Sequence, residues 1–228
     1  MNIKKILDGV RGQFGGKKVT PKRIWQDTWF ESWFVRKGEI LHCRFIEYGW
    51  ILRHLDLPIE GTILDVGCGA SFFPLMLALQ GYDVTAVDSH PFDYGFDSYK
   101  FIQGDASVIK LPQKYDRITI ISALEHFGLQ HEERDLGVDI KAIRNLNQYL
   151  EDDGKWIITV PFGKEKKDNS QFRVYTQNRL DRIFPRIEKQ EYFIRDNELW
   201  KKSTREETEK VVFTGPRDLT VTCLVAEK

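Results

Sequence analysis

A β-rich run that ends in an acid and breaks at two glycines constrains this chain more than any other feature. Ile63-Leu64-Asp65-Val66 is followed by Gly67-Cys68-Gly69-Ala70-Ser71, and then by a helix-like stretch from Phe72 to Gln80. The order is strand, tight turn, helix start. Glycine at such a turn lets the backbone come close to a ligand with no Cβ in the way. Asp83-Val84-Thr85-Ala86-Val87-Asp88 then repeats the strand pattern and again ends in an acid.

The rest of the chain continues the alternation. Ile40, Leu41, Phe45, Tyr48, Ile51, Leu52 and Leu55 recur at helical spacing between Glu39 and Leu57. Pro58 and Gly61 stop that helix before a strand from Thr62 to Val66, and Gly81 suits the end of the next helix. Pro91 to Lys100 reads as a loop, and Phe101 to Gln103 as a short strand. Tyr115 to Ile121 is an unbroken β-branched run of the kind buried in parallel sheets. A helix is expected from Val138 to Leu150, a turn at Glu151-Asp152-Asp153-Gly154, and a buried strand from Lys155 to Val160. Thr176 reads as the N-cap of a helix from Gln177 to Phe184. Runs around Tyr192 and from Leu219 to Ala226 are expected to finish the sheet as an antiparallel pair. The predicted fold is α/β: a doubly wound, Rossmann-like sheet, mostly parallel, with an antiparallel C-terminal hairpin and an N-terminal helical cap. Residues 1–57 are assigned to the cap and 58–228 to the ligand-binding domain.

Composition narrows the class. Of 228 residues, 41% are hydrophobic and 30% charged, the balance of a globular domain. A formal net charge of zero gives no strong nucleic-acid signal, because phosphate binding needs a basic face. Cys43, Cys68 and Cys223 form no Cys-x-x-Cys, so neither a disulfide framework nor a zinc site is suggested. No apolar run has the length of a membrane span and no signal core is present, so a cytoplasmic setting is expected. The first 37 residues are net positive, and Trp25, Trp29, Phe30, Trp33 and Phe34 crowd into ten positions. That cluster reads equally as a packed cap or as the wall of an acceptor site. Homo-oligomerisation is left open.

An acid at the end of the second strand is placed to accept from both ribose hydroxyls of a nucleoside. Asp65, two residues before the first glycine, would repel a pyrophosphate and would suit a cationic group. The combination of Asp65, Gly67, Gly69 and Asp88 resembles the first two signature motifs of class I S-adenosylmethionine-dependent methyltransferases. The third glycine of a dinucleotide fingerprint is absent, since Ser71 stands near its place. The resemblance covers about Gly61 to Val160. It implies that Asp65, Gly67 and Gly69 surround the amino-acid end of S-adenosylmethionine and that Asp88 takes the ribose. In Gln103-Gly104-Asp105-Ala106, it implies that Asp105 accepts from the adenine amino group and Ala106 donates its backbone N–H to the ring. Asp105 can also cap the turn that follows, a role compatible with the first.

A fourth loop, Ile121-Ser122-Ala123-Leu124-Glu125-His126-Phe127-Gly128, follows the strongest strand and is where the methyl group should point, with Ser122 beside the cofactor. His126 suits a general base, because imidazole titrates near neutrality. Glu125 can orient it or help hold a divalent cation, although no dedicated metal site is assigned. The alternative is that both residues only pack beneath the cofactor. His131, Glu132 and Glu133 read as solvated surface. Arg173 and Tyr175 either bind an acceptor's hydroxyls or phosphate, or tie their loop to the sheet. Ser122 to Thr176 also resembles, more loosely, a bacterial group linked to surface-polysaccharide and other glycan pathways. The function expected is methyl transfer to a small-molecule or sugar hydroxyl. The alternatives are a non-catalytic, cofactor-binding regulatory or partner subunit, and a methyltransferase acting on RNA or protein.

Overall fold

The computed structural model describes residues 43–91, 95–129, 135–164, 172–196, 199–213 and 220–228. The aromatic cluster at 25–34, most of the predicted cap, and His131, Glu132 and Glu133 lie outside these residues.

Eight strands form one sheet in the order β3-β2-β1-β4-β5-β8-β6-β7. They are β1 (Thr62–Val66), β2 (Asp83–Asp88), β3 (Lys100–Gln103), β4 (Tyr115–Ile121), β5 (Leu150–Pro161), β6 (Ile187–Asp196), β7 (Leu199–Ser203) and β8 (Thr220–Glu227). The first five pair in parallel, and β8 runs antiparallel to both β5 and β6. The expected late antiparallel pair is therefore β6 with β8. The helices are α1 (Arg44–His54), α2 (Phe73–Leu79), α3 (Val138–Leu146), α4 (Gln177–Ile183) and α5 (Arg205–Glu209).

Successive residues of a strand face opposite sides of its sheet. Ile63, Ile121 and Ile157 pack with Trp50 and Ile51 of α1 and Phe73 and Leu77 of α2. Leu64, Ile118, Ile120 and Ile158 pack with Ala142 and Leu146 of α3 and Leu180 of α4. The sheet is thus covered on both faces, as the alternating pattern predicts. Asp65, Thr119 and Thr159 share strand parity with Ile63, Ile121 and Ile157. They turn toward α1, and this decides the electrostatics of the site.

Several boundaries differ from the sequence reading. Helix α3 stops at Leu146 and tightens into a 3₁₀ turn from Asn147 to Tyr149. Glu151 to Gly154 is not a free turn. It lies inside β5, because Leu150 pairs with Tyr115 and the register then shifts before Lys155 meets Arg117. Thr176 occupies the N-cap of α4 without a side-chain cap bond. Strand β7 and the capped helix α5 were not anticipated. Among the described residues, no helix is long and apolar enough to cross a membrane.

Candidate active site

Strand order places the site. The chain leaves β1 toward β2 and β3, and later returns to β4 on the other side of β1. That reversal opens a crevice beyond the carboxyl ends of β1 and β4, the usual ligand position in an open α/β sheet.

The glycine loop is pinned to the end of β2. Gly67 and Cys68 donate to the Val87 carbonyl at 2.8 and 3.2 Å. Both glycines have positive φ, 71° at Gly67 and 53° at Gly69, where a side chain would be strained. Their surroundings differ. A Cβ on Gly67 would lie 2.5 Å from the Ala123 Cβ, whereas a Cβ on Gly69 would meet nothing within 4 Å among the described residues. Gly67 therefore lets two protein loops touch, and Gly69 borders open space. The expectation that both glycines leave room for a ligand fits Gly69; at Gly67 the room is filled by the β4 loop.

Asp88 ends β2 with its carboxylate turned back over the glycine loop. It accepts from the Gly69 N–H at 2.9 Å and from the His90 N–H at 2.9 Å. A carboxylate offers about four acceptor directions; two take these N–H groups, the His90 ring nitrogen stands 3.5 Å from Oδ1, and the remaining capacity is on offer to a diol. Asp65 is buried, and its carboxylate accepts from the Thr119 hydroxyl at 2.6 Å. Burial pushes the Asp65 carboxyl up to about 6, against the lowering effects of the Thr119 bond and of Arg44. A cation bound beside it would restore the ionised form. Asp105 caps the next turn, accepting from the Ser107 N–H and hydroxyl at 2.8 Å each. Ala106 is buried, and its carbonyl accepts from Asn145 at 3.0 Å.

The loop after β4 crosses in front of these groups. Ser122 has φ +39°, and its hydroxyl donates to Glu47 of α1. Glu125 is buried, with Oε2 lacking a hydrogen-bond partner among the described residues. Burial raises its carboxyl to about 8, the charges of Arg44 and Arg173 opposing and that of Glu47 reinforcing the shift. His126 is 42% exposed, and its Nε2 lies 3.9 Å from Glu125 Oε1. The two side chains therefore differ in setting: Glu125 is desolvated and His126 is partly exposed. Among the described residues, no group of three His, Cys, Asp or Glu side chains is arranged to hold a metal ion.

Arg173 and Tyr175 tie the loop down. Arg173 is buried and directs its guanidinium at the carbonyls of Leu124 (3.4 Å), Phe127 (3.4 Å) and Leu136 (3.3 Å). Its backbone N–H donates to the Glu125 carbonyl at 2.9 Å. Tyr175 is buried and donates within reach of the Leu124 carbonyl (3.2 Å) and Asp139 (3.0 Å). Of the two sequence readings for this pair, the structure favours the tie.

Sequence reasoning missed the α1 residues. Arg44 donates to Glu47 at 2.9 Å and to the carbonyls of Ile121 at 2.8 Å and Ser122 at 3.3 Å. The Tyr48 and Ser71 hydroxyls are 2.8 Å apart, so α1 also reaches the glycine loop. The only available signal was their i, i+3 and i+4 spacing, which any amphipathic helix shares.

A family profile described as a methyltransferase domain matches residues 43–201. The chain is similar to a ubiquinone biosynthesis O-methyltransferase of Pseudomonas putida (strain W619), 30% identical over 108 residues, covering 41% of this chain and 46% of that protein. It thus spans about half the length of the curated relatives it matches. Among solved structures it is similar to a putative methyltransferase from Bacillus halodurans C-125, with TM-score 0.57 at 13% identity, covering 80% of this chain and 99% of that one. It is also similar to TehB from Haemophilus influenzae, with TM-score 0.55 at 16% identity over 88% and 66% of the two chains. At these identities the structural likeness speaks for the fold alone.

Proposed function

The chain belongs to the methyltransferase-domain family, and from that membership we propose that it transfers a methyl group from S-adenosylmethionine to a hydroxyl of a small molecule or sugar. The observation that carries this reading is the pair of cofactor-facing carboxylates: Asp88 at the end of β2, and Asp65, buried and waiting for a cation. The open space at Gly69 fits a ligand lying between them. When bound, the cofactor supplies an electrophilic methyl on a positively charged sulfur.

The chain's own residues then have separable roles. Asp65 compensates the ammonium of the amino-acid end, Asp88 binds the ribose hydroxyls, and Asp105 with Ala106 borders the base. Methyl transfer to oxygen chiefly needs proximity and somewhere for the hydroxyl proton to go. His126 is the exposed base at the right loop, and Glu125 lies behind it with Oε1 3.9 Å from the imidazole Nε2. The curated relatives support oxygen as the acceptor atom, since their names specify O-methyltransferases. The looser resemblance of Ser122 to Thr176 supports including glycan-pathway hydroxyls among the candidate acceptors.

The test is a methyl-transfer screen across sugar nucleotides and phenols, followed by His126→Ala on whichever acceptor is used. Turnover should fall roughly 10²–10⁴-fold while S-adenosylhomocysteine affinity stays within about threefold. Undiminished turnover would move the proton to solvent or another group. Binding of S-adenosylhomocysteine without transfer to any acceptor would favour a regulatory subunit instead.

A further inference from the structure

Helix α1 reaches into the crevice as well as covering the sheet. Glu47 is fully buried, and Oε1 accepts from the Thr159 hydroxyl at 2.9 Å and from the Ser122 hydroxyl. Its Oε2 accepts from Arg44, which also donates to the carbonyls of Ile121 and Ser122. Ser122 donates its own N–H to the Thr159 carbonyl at 2.9 Å. Every polar group of Ser122 is thus held.

That grip falls on an unusual residue. Ser122 is one of three described non-glycine residues with positive φ, and the one that stands at the mouth of the crevice. A left-handed conformation costs an L-residue about 1–2 kcal/mol and persists only where its surroundings over-determine it. The following residue, Ala123, is the contact that requires glycine at position 67. The seat of Ala123 to His126 is therefore set by the backbone of Ser122, whose N–H is held by Thr159 and carbonyl by Arg44, while Glu47 anchors both Arg44 and the Ser122 hydroxyl.

We propose that Glu47 and Ser122 form a positioning device for methyl transfer. Glu47 holds Ser122 in its left-handed conformation, and this sets residues 123–126 over the glycine loop. The inference rests on the reading of this crevice as the S-adenosylmethionine site. It makes α1 part of that site and gives the Ser122 hydroxyl an internal partner in place of the cofactor.

Two substitutions separate conformation from contact. Ser122→Ala removes the hydroxyl and keeps a Cβ that resists positive φ. Ser122→Gly removes the hydroxyl and adopts the conformation unaided. S-adenosylhomocysteine is titrated calorimetrically into the full chain and both variants, well below their melting temperatures. Ser122→Ala should weaken binding roughly five- to thirtyfold, the equivalent of the strain released. Ser122→Gly should weaken it by less than about threefold. Equal loss in both variants would mean that the hydroxyl touches the ligand itself, and would overturn the proposal. So would a lowered melting temperature with unchanged affinity, the mark of a purely structural role. If Ser122→Ala does not fold, the glycine variant decides alone: a loss above about tenfold contradicts the proposal. Failure of the unmodified chain to bind S-adenosylhomocysteine would instead remove the reading of the crevice, and the proposal with it.

Discussion

The loop after β4 is gripped from both faces of the sheet, and the two grips are built differently. On the α1 face the grip is balanced, one arginine to one carboxylate: Arg44 with Glu47, closed by the hydroxyls of Ser122 and Thr159. On the opposite face Asp139 of α3 is fully buried between two arginines. Arg179 is bidentate, Nη2 to Oδ1 at 2.8 Å and Nε to Oδ2 at 3.0 Å, and Arg173 lies at 3.6 Å. The surplus donors go to backbone carbonyls: Arg173 to Leu124, Phe127 and Leu136, and Arg179 to Leu136 at 2.7 Å. One grip sets the conformation of a single residue, the other the path of a segment. Buried ion pairs gain little net stability after desolvation. The placement of these two, at opposite sides of one loop, is better explained by positioning.

The comparison breaks most severely at Asp139. Asp139→Ala should cost roughly 3–5 kcal/mol in chemical denaturation, because it strands Arg173 in the interior. Arg179, about a third exposed, can relax into solvent, which favours the lower end. A loss under about 1 kcal/mol would show that the far grip is dispensable.

Next in size is the place where the gripped loop meets the glycine loop. Gly67→Ala adds a Cβ against Ala123 at positive φ, and should cost roughly 2–4 kcal/mol of stability together with cofactor binding. Gly69→Ala meets no neighbour, so its stability cost should be only about 1–2 kcal/mol, from conformation alone. Its loss should appear instead in S-adenosylhomocysteine affinity. Equal destabilisation by the two would erase the distinction between a packing glycine and a ligand glycine.

The comparison is sharpened at Glu125, which lies between the grips, by an effect read through pH. Its carboxyl stands at about 8 in the folded chain against an ordinary 4.5. The folded state therefore binds the extra proton over that interval. The stabilising contribution is complete below pH 4.5 and is lost as pH rises through about 8. Glu125→Gln should flatten this part of the stability profile, seen as a smaller fall in denaturation midpoint between pH 5 and pH 8.5. An unchanged slope would assign the pH dependence to other groups.

Much of this was legible in sequence because it is local. The limits of β1, β2 and β4 follow from apolar runs bounded by turn residues, and Asp65, Gly67 and Asp88 stand at the ends of those runs. What escaped depends on distance along the chain. Glu47 meets Thr159 across 112 residues, and Arg179 meets Asp139 across 40. No periodicity reveals such pairs. The start of β5 escaped for a related reason: the acidic turn-like residues Glu151 to Gly154 are carried as strand because β4 lies alongside. β7 is short, edge-lying and rich in lysine, and its pattern carries no core face to read.

The central claim is that the crevice at the ends of β1, β2 and β4 binds S-adenosylmethionine through Asp88. The most direct test is calorimetric titration of the chain and of Asp88→Ala with S-adenosylhomocysteine and, separately, with NAD. S-adenosylhomocysteine should bind the unmodified chain more tightly than NAD. Asp88→Ala should weaken it by roughly 1.5–3 kcal/mol, about one to two decades, the worth of charge-assisted bonds to two hydroxyls. Tighter binding of NAD, or unchanged S-adenosylhomocysteine affinity in a folded Asp88→Ala variant, would contradict the account.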